Sequence, residues 1–470
     1  METKKILVGG RWRTASEITS VRSPFTGSPI ADVYSVHGDE LFEAVTYGAA
    51  AAVEMRKLSR LKIASGLRAI ADGIARREEE FAITIATESA KPIKTARGEV
   101  ERAIATFSWA AGESERFTGE IVPVDTQANG LGKTARTLHI PRGVIYGITP
   151  FNFPLNLVAH KVAPALASGN AIIIKPSERT PLTSLLLAEA FLESGLPVAA
   201  LQIVPMNTKH MNAVFSDDRI KMISFTGSDS VGWELKQRAG KRAVALELGG
   251  NAPVIVDESA DVDSSIAKSV VGAFSYSGQV CISVQRIYVH ERLFDDWTRR
   301  FVDQANSLTF GDPTKDSTDV SVLIDEKAAE KLEGWISEAV NNGAELLTGR
   351  KREGSRIDPT VITNTSPELR IVSEEAFGPI AIVERFNDFG EAVDSANNSK
   401  FGLQAGVFTE NLSNVRFAAE NLEYGGVIIN DVPTFRVDNM PYGGSKSSGF
   451  GREGVRYAME EMSETRLIVS

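Results

Sequence analysis

Short apolar runs alternate with amphipathic stretches of helical length between about residues 143 and 256. This alternation is typical of a parallel sheet that is covered by helices. The pattern predicts buried strands at Ala171–Lys175, at residues 201–204 and at residues 222–225. It also predicts a helix that begins at Pro181 and stops at Gly195, because proline favours the first helical turn and glycine follows the last.

A second region with the same alternation runs from about residue 251 to residue 430. It contains an apolar run at Ala252–Val256, which predicts a strand, and an apolar stretch at residues 267–276, which predicts a helix. A chain of 470 residues exceeds what one hydrophobic core usually serves, so two or more domains are expected. The absence of internal repeats and low-complexity runs argues against a solenoid.

Composition narrows the classes of partner. A hydrophobic fraction of 43% and a charged fraction of 24% indicate a globular protein, and a net charge of -10 gives nucleic acid no general attraction. No apolar stretch has the length of a signal peptide or membrane span, so we expect a cytoplasmic protein with no membrane partner. One cysteine excludes an internal disulfide, and five scattered histidines predict no metal site.

The single cysteine, Cys281, follows the second apolar helical stretch, and Gly278 nearby allows close approach of substrate and backbone. A lone cysteine between Val280 and Ile282 is usually a small buried hydrophobic residue. The alternative is a nucleophile, because a thiolate needs less activation than a serine hydroxyl. That alternative requires catalytic partners elsewhere in the chain.

Two polar residues in restrained surroundings are candidates for those partners. Glu247 ends an apolar strand and precedes two glycines, and such a carboxylate has its charged form disfavoured, as a general base near neutral pH requires. Asn152 lies between Pro150 and Pro154, where it is either a turn residue or a fixed donor to an oxyanion. A solvated surface carboxylate is the alternative for Glu247.

Two further segments have the position of phosphate or nucleotide contacts. Residues 225–232 join a strand to a helix, so backbone amides at the helix start are able to face a phosphate, although the segment lacks the Gly-x-Gly-x-x-Gly pattern. Residues 175–178 follow a strand end, where ligands of open α/β sheets bind. Alone, each segment is equally well a plain turn.

Taken together, these segments resemble the aldehyde dehydrogenase superfamily, from residue 9 to the C-terminus. The resemblance is closest to the branch of lactaldehyde and non-phosphorylating glyceraldehyde-3-phosphate dehydrogenases. Six segments occur in the order of that family, namely residues 151–154 (FNFP), 175–178 (KPSE), 225–228 (FTGS), 247–250 (ELGG), 278–281 (GQVC) and 375–379 (EAFGP).

The resemblance implies a role for each matching residue. Cys281 matches the nucleophile and Glu247 the base, and Asn152 with the backbone amide of Cys281 matches the oxyanion hole. NAD is the implied cofactor, with NADP as the alternative, because Glu178 disfavours a 2′-phosphate. The implied cofactor contacts are Thr149, Phe151, Lys175, Ser177, Glu178, Gly227, Ser228, Leu248, Gly249, Glu375 and Phe377. One departure is Phe151, which stands where the family usually has tryptophan.

The resemblance also implies an α/β fold with three parts. These are a Rossmann-like cofactor domain (residues 1–118 and 141–247), an α/β catalytic domain (248–440), and a small β oligomerisation arm with the C-terminal tail (119–140 and 441–470). The apolar run at residues 466–469 predicts an added strand. An apolar edge strand needs a cover, so we expect a homodimer or homotetramer.

Four residues bear on the substrate. Arg102 and Arg436 match arginines that bind phosphate in some members of the branch, although Arg102 is equally a surface helix charge. Val280 and Phe153 stand where those members have a further arginine and a tyrosine. Half of the phosphate clamp is therefore apolar, which disfavours a dianion.

We therefore expect a short aldehyde with a hydroxyl group or at most one negative charge, with lactaldehyde or glycolaldehyde first. Succinate semialdehyde, phosphonoacetaldehyde, sulfonated aldehydes and glyceraldehyde 3-phosphate are the alternatives, the last of them disfavoured by its phosphate dianion. Retention of Glu247 favours hydrolysis of the thioester over transfer to coenzyme A. Two other classes stay open, a catalytically silent structural relative and a cysteine hydrolase without redox chemistry.

Overall fold

The computed structural model describes residues 3–349 and 351–470. Its strands are β1 (Ile6–Val8), β2 (Arg11–Arg13), β3 (Glu17–Arg22), β4 (Pro29–Ser35), β5 (Ile121–Val122), β6 (Ala135–Pro141), β7 (Val144–Ile148), β8 (Ala171–Lys175), β9 (Leu201–Ile203), β10 (Ile220–Thr226), β11 (Ala243–Glu247), β12 (Ala252–Val256), β13 (Val284–His290), β14 (Glu345–Thr348), β15 (Arg352–Glu353), β16 (Arg356–Ile357), β17 (Thr360–Thr363), β18 (Ile380–Phe386), β19 (Phe401–Gly402), β20 (Gln404–Phe408), β21 (Gly426–Ile429), β22 (Ser445–Lys446), β23 (Gly449–Phe450) and β24 (Ser463–Val469).

The α-helices lie between these strands, and none in the described part of the chain is both long and apolar enough to cross a membrane. They are α1 (Glu40–Met55), α2 (Arg60–Ala75), α3 (Glu78–Ser89), α4 (Ile93–Arg116), α5 (Asn156–Ala167), α6 (Leu182–Leu192), α7 (Asn212–Phe215), α8 (Asp229–Arg238), α9 (Val262–Phe274), α10 (Glu291–Asn306), α11 (Glu326–Asn341), α12 (Arg370–Ser373), α13 (Phe389–Asn397), α14 (Leu412–Asn421) and α15 (Val455–Glu461). Short 3₁₀ turns occur at Ala128–Gly130, Thr208–His210 and Ser275–Gly278.

The first large sheet has the strand order β2-β1-β9-β8-β7-β10-β11-β23. Its central strands, from β9 to β11, pair in parallel. Strands β7, β8 and β9 are buried along their whole length, as expected for a sheet that helices cover on both faces. The arrangement confirms the Rossmann-like architecture that the apolar runs predict.

The second large sheet has the order β14-β17-β18-β13-β12-β20-β21. Strands β17 to β21 pair in parallel, and only β14 at the edge is antiparallel. Helices α9 and α10 pack on it through a core that includes Trp297 and Phe301, whose rings stack with centroids 5.0 Å apart. The sheet therefore has its own hydrophobic core, as two α/β units require.

A third, small sheet has the order β24-β6-β5. Strand β24 pairs with β6 along its whole length, so the strand expected at residues 466–469 is present and begins earlier, at Ser463. Its outer edge is unpaired among the described residues, and Leu467 and Val469 are about half exposed, at 55% and 49%. Ile121 of β5 is 88% exposed.

The strands at Ala171–Lys175 and Ala252–Val256 have the predicted bounds, and residues 222–225 lie inside β10. The helix expected at residues 267–276 differs from the prediction, because α9 runs from Val262 to Phe274 and Tyr276 lies beyond its end. Asp261 explains the early start, since its side chain accepts a hydrogen bond from the backbone N–H of Ser264 and caps the helix.

Candidate active site

Several residues singled out in the sequence lie where parallel strands of the first sheet end. Glu247 is the last residue of β11 and pairs in register with Thr226 of β10. Lys175 ends β8 and pairs with Ile148 at the end of β7. The carboxyl ends of parallel strands share one edge of a sheet, where ligands of open α/β sheets bind. The fold therefore brings these residues to one edge.

Cys281 follows α9 after a sharp turn. Tyr276 and Ser277 have positive φ values of 51° and 53°, which side chains other than glycine adopt at a cost in energy. Gly278 has φ +67°, and a Cβ there would lie 2.1 Å from the carbonyl oxygen of Gly378. Only glycine fits this close approach, so the turn that carries the cysteine is fixed by backbone packing.

Cys281 lies at the junction of two cavities. The first has a volume of about 240 Å³, and we call it the arginine cavity; it contains all four predicted substrate residues, Arg102, Phe153, Val280 and Arg436. The second has a volume of about 210 Å³, and we call it the phenylalanine cavity; its predicted residues are Phe151, Asn152, Gly227, Ser228, Leu248, Gly249, Glu375 and Phe377. The thiol is thus reached from one cavity by the predicted substrate contacts and from the other by the predicted cofactor contacts.

Asn152 joins its loop to the segment that carries the nucleophile. Its Nδ2 donates a hydrogen bond of 2.9 Å to the carbonyl oxygen of Gln279, two residues before Cys281. The side chain is buried, at 3% exposure. Because the amide group has two N–H donors, one hydrogen is committed to Gln279 and the other is available to a ligand.

Glu247 is buried, and its Oε2 has no hydrogen-bond partner within residues 3–349 and 351–470. Burial, followed by the nearby Glu453 carboxylate, raises the pKa of Glu247 well above its usual value. Burial likewise raises the pKa of the Cys281 thiol to about 11, although the hydrogen bond with Tyr442 acts in the opposite direction. Both reactive groups are therefore held in an environment that disfavours their charged forms.

Arg102 faces the arginine cavity from α4 and forms an ion pair with Asp438. Its Nη2 lies 2.7 Å from Asp438 Oδ1, and its side chain is 30% exposed, so it is more than a surface helix charge. His160 Nε2 lies 2.8 Å from the same carboxylate oxygen. Burial opposes ionisation, but the hydrogen bond with His160 and the charge of Arg102 hold the pKa of Asp438 well below its usual range.

Arg436 is the second cation of the arginine cavity, and its side chain is only 6% exposed. Its Nη2 donates to Glu453 Oε2 at 2.8 Å. Lys161 Nζ lies 3.7 Å from the other carboxylate oxygen of Glu453 and 3.0 Å from the hydroxyl of Ser224. Each arginine of the cavity is therefore matched by one buried carboxylate, as burial of a charge requires.

Five residues of this site were not found by sequence reasoning, and all five are buried. They lie in no recognisable catalytic motif, although Asp438 falls within the segment that supplies Arg436; they are His160, Lys161, Asp438, Tyr442 and Glu453. Their partners are remote in sequence, with Arg102 and Asp438 separated by 336 positions. For the charged residues among them, the only signal in the sequence is their occurrence among apolar ones, and Tyr442 has no such signal.

A buried ion pair supports the loop that precedes α5. Lys91 Nζ contacts the Glu99 carboxylate, and both side chains are fully buried. Glu99 Oε1 accepts hydrogen bonds from the backbone N–H groups of Leu155 and Asn156, at 2.9 and 3.1 Å. Lys91 Nζ also lies 3.5 Å from the ring centroid of Phe153. Glu99 is therefore paired with Lys91, and it fixes the segment that carries Phe153.

The remaining predicted cofactor residues lie outside the lining of the phenylalanine cavity: Thr149 follows β7, and Lys175, Ser177 and Glu178 lie at or just after the end of β8. Glu178 accepts hydrogen bonds from Asn207 Nδ2 and from the backbone N–H of Thr208, both at 3.1 Å. Burial lowers the pKa of Lys175, and the Ser177 hydroxyl accepts from the backbone N–H of Arg179. The Glu178 carboxylate is therefore held in one orientation by its neighbours.

Comparison with known proteins identifies the class. The profile described as Aldehyde dehydrogenase family matches residues 12–468, so the chain belongs to the aldehyde dehydrogenase family. A 3-sulfolactaldehyde dehydrogenase of Priestia megaterium is 40% identical over 467 residues, covering 99% of this chain and 97% of that protein. A lactaldehyde dehydrogenase of Methanococcus aeolicus is 37% identical over 470 residues, covering 99% of each chain.

Solved structures agree with this assignment. Aldehyde dehydrogenase 21 of Physcomitrella patens, in complex with the reaction product succinate, has a TM-score of 0.98 and 42% identity, covering 100% of this chain and 98% of its own. Glyceraldehyde-3-phosphate dehydrogenase GapN of Methanocaldococcus jannaschii, complexed with NADP, has a TM-score of 0.92 and 38% identity, covering 96% and 98%. The family and the branch that the sequence motifs predict are confirmed.

The Lys91–Glu99 pair generates a prediction about stability. Glu99→Gln leaves the Lys91 charge buried without its counter-ion, so we expect the free energy of unfolding to fall by about 3–5 kcal/mol. Lys91→Met combined with Glu99→Gln removes both charges, and we expect this double variant to be more stable than Glu99→Gln alone. Urea denaturation of the wild type, of both single variants and of the double variant measures these differences. A double variant as unstable as the sum of its single changes contradicts the account.

Proposed function

We propose that this protein catalyses the NAD(P)-dependent oxidation of a short aldehyde to its carboxylate through a thioester on Cys281. The observation that carries the proposal is the position of the thiol between two cavities. The arginine cavity supplies polar contacts for a substrate, and the phenylalanine cavity supplies the predicted contacts of a nicotinamide. Glu247, a carboxylate with the properties of a general base, is the last residue of β11 in the first large sheet.

In the proposed reaction, Cys281 Sγ attacks the aldehyde carbon, and the second N–H of Asn152 with the backbone N–H of Cys281 holds the resulting oxyanion. The residues of the phenylalanine cavity would hold NAD(P), which would supply the acceptor for the hydride that leaves this carbon. Glu247 then takes a proton from water, whose oxygen attacks the thioester and releases the acid. A base with a raised pKa suits this step, because its affinity for a proton is greater than that of a solvated glutamate.

The residues of the phenylalanine cavity fit a nicotinamide dinucleotide. Glu375 Oε1 accepts from the backbone N–H of Gly250 at 3.1 Å, and its second oxygen is free within the described residues to accept from ribose hydroxyl groups. A Cβ on Gly249 would lie 2.5 Å from Glu375 Oε2, so the glycine leaves room for the carboxylate. Ser228 occupies the N-cap position of α8 and makes no side-chain capping hydrogen bond there, and a helix N-terminus favours a phosphate.

The substrate is proposed to be a short aldehyde with a single negative charge. In the described part of the chain, neither Arg102 Nη1 nor Arg436 Nη1 has a hydrogen-bond partner, so both arginines have a free donor in the arginine cavity. The carboxylates of Asp438 and Glu453 already balance the two cations, which favours a monoanion over a phosphate dianion.

Cavity size supports the same choice. A volume of about 240 Å³ lies below the roughly 300–1,000 Å³ that is typical of pockets for drug-sized ligands, so a chain of few carbons is favoured. The relatives described above include a 3-sulfolactaldehyde dehydrogenase and a succinate complex. We therefore place sulfonated lactaldehyde and succinate semialdehyde ahead of neutral lactaldehyde and glycolaldehyde, which the sequence placed first.

The role of Glu247 predicts a partial reaction in a variant. Glu247→Gln removes the base but leaves Cys281 able to attack, so we expect one reduced cofactor per active site in a burst, followed by steady turnover at least about 100-fold below wild type. Stopped-flow absorbance at 340 nm measures this burst. The control Cys281→Ala should give neither burst nor turnover, and steady wild-type turnover by either variant contradicts the mechanism.

The position of Glu178 predicts the preferred cofactor. Its carboxylate accepts from a ribose 2′-hydroxyl and repels a 2′-phosphate, so we expect a higher kcat/KM with NAD than with NADP. Glu178→Gln keeps an acceptor oxygen but removes the charge. We expect it to lower the ratio of kcat/KM with NAD to kcat/KM with NADP by about tenfold. NADP, which is bound in the Methanocaldococcus jannaschii structure, is the alternative. Equal or higher wild-type efficiency with NADP contradicts this assignment.

The arginine cavity predicts substrate selectivity. Arg102→Met removes one charged donor, so we expect kcat/KM for succinate semialdehyde to fall by about 10- to 100-fold, with less than about threefold change for propanal. Arg116→Met is the matched control, since Arg116 lies on the same helix and pairs with Glu113 away from the cavity. Glyceraldehyde 3-phosphate as the best substrate, or no effect of Arg102→Met on anionic aldehydes, contradicts the proposal.

The unpaired edge of the small sheet supports a homodimer or homotetramer. Exposed apolar side chains on β5 and β24 are unfavourable in water unless a second copy covers them. We expect sedimentation equilibrium to give at least twice the monomer mass of 50.8 kDa. Leu467→Glu should lower that mass at micromolar concentration, and a monomeric wild-type protein contradicts the expectation.

A further inference from the structure

The hydroxyl of Tyr442 lies 3.1 Å from Cys281 Sγ, which is hydrogen-bond distance for sulfur. The tyrosine is buried, at 3% exposure. In the described part of the chain the hydroxyl has no other hydrogen-bond partner. Because Tyr442 belongs to the arginine cavity and is absent from the phenylalanine cavity, it approaches the sulfur from the substrate side.

The position of the Tyr442 ring is fixed from two directions. The Arg436 guanidinium carbon lies 3.7 Å from the ring centroid, and Arg436 is itself held by Glu453. The backbone N–H of Tyr442 donates to the Glu453 carbonyl oxygen at 3.0 Å, and the N–H of Glu453 donates back at 2.6 Å. A hydroxyl so constrained stays within hydrogen-bond distance of the thiol, and holding it there costs no further side-chain entropy at each turnover.

The direction of the hydrogen bond follows from the chemistry of the two groups. Burial, followed by the charge of Cys281, raises the pKa of Tyr442 well above its usual value, so the phenol stays protonated and acts as a donor. Donation to an ionised acceptor is stronger than donation to a neutral one. The contact therefore favours the thiolate form of Cys281 over the thiol form.

We propose that Tyr442 is a catalytic residue that donates a hydrogen bond to the Cys281 thiolate and holds it for attack. When attack occurs, the electron pair on Sγ becomes the carbon–sulfur bond and the carbonyl pair moves to oxygen, while the phenol keeps its proton. The sulfur of the resulting thiohemiacetal is a weak acceptor, so the hydroxyl is released at this step. The inference rests on the proposed function only in taking Cys281 as the nucleophile.

Other charged groups also face the thiol and shift the pKa of Cys281. The Glu375 and Glu247 carboxylates raise the pKa of Cys281, while the Arg436 guanidinium lowers it; desolvation is the largest influence and raises it. Removing the Tyr442 hydroxyl leaves all of these groups in place. The pKa of Cys281 should therefore rise when the hydroxyl alone is deleted.

Alkylation by iodoacetamide tests the proposal without aldehyde or cofactor, because Cys281 is the only cysteine and the rate reports on one thiol. We expect Tyr442→Phe to raise the alkylation pKa by about one unit or more, and to slow alkylation about tenfold at pH values below both pKa values. Tyr424→Phe is the matched control, since it also removes a partly buried tyrosine hydroxyl that is hydrogen-bonded elsewhere, to the Ala396 carbonyl oxygen and to Arg286 Nη2. Its alkylation profile should match wild type.

A second variant separates hydrogen bonding from packing. Site-specific incorporation of 3-fluorotyrosine at position 442 makes the phenol a stronger donor, so the alkylation pKa should fall, opposite to the effect of Tyr442→Phe. A folded Tyr442→Phe protein with a wild-type profile, or a fluorinated protein with an unchanged pKa, overturns the proposal. A wild-type protein without aldehyde oxidation but with these opposite shifts refutes the proposed function and leaves this inference intact.

Discussion

The site depends on one constraint, the cost of removing charged side chains from water between the two large sheets. A buried ionised group is tolerated only with a partner of opposite charge or with donors to its oxygens. Asp438 and Glu453 meet this condition through Arg102 and Arg436, and Glu99 through Lys91. Glu247 does not, since in the described part of the chain it forms no ion pair and one of its oxygens has no hydrogen-bond partner, and its proton affinity rises accordingly. The paired groups form a fixed frame, and the unpaired one is left for chemistry.

The sequence predicts the residues that lie at strand ends but not the pairs that hold them. Alternating apolar runs place Lys175 and Glu247 at the edge of a parallel sheet, because the periodicity defines both the strand and its end. The resemblance to a family then supplies roles for Cys281 and Asn152. No local pattern indicates that Tyr442 contacts a thiol 161 positions away, since that contact depends on how the second sheet packs against the first. The end of α9 was also missed, because positive φ at Tyr276 is imposed by tertiary packing.

The two cavities divide recognition from chemistry at one sulfur atom. The phenylalanine cavity is built by backbone and aromatic groups, which suits a flat ring that must lie against the thiol. The arginine cavity is built by long side chains whose charges are already balanced, which suits a small ligand that adds at most one charge. Substitution at the arginines and their carboxylates would therefore change which aldehyde is oxidised. The oxidation itself would stay the same, because the phenylalanine cavity is unchanged.

The covalent thioester on Cys281 is the central claim, and mass spectrometry of a trapped enzyme tests it most directly. Glu247→Gln protein mixed with succinate semialdehyde and NAD is quenched in acid within a second and digested. We expect the peptide carrying Cys281 to gain the mass of a succinyl group, and omission of NAD to abolish the gain. Release of reduced cofactor without an acyl group on that peptide, or an acyl group on another residue, would contradict the account.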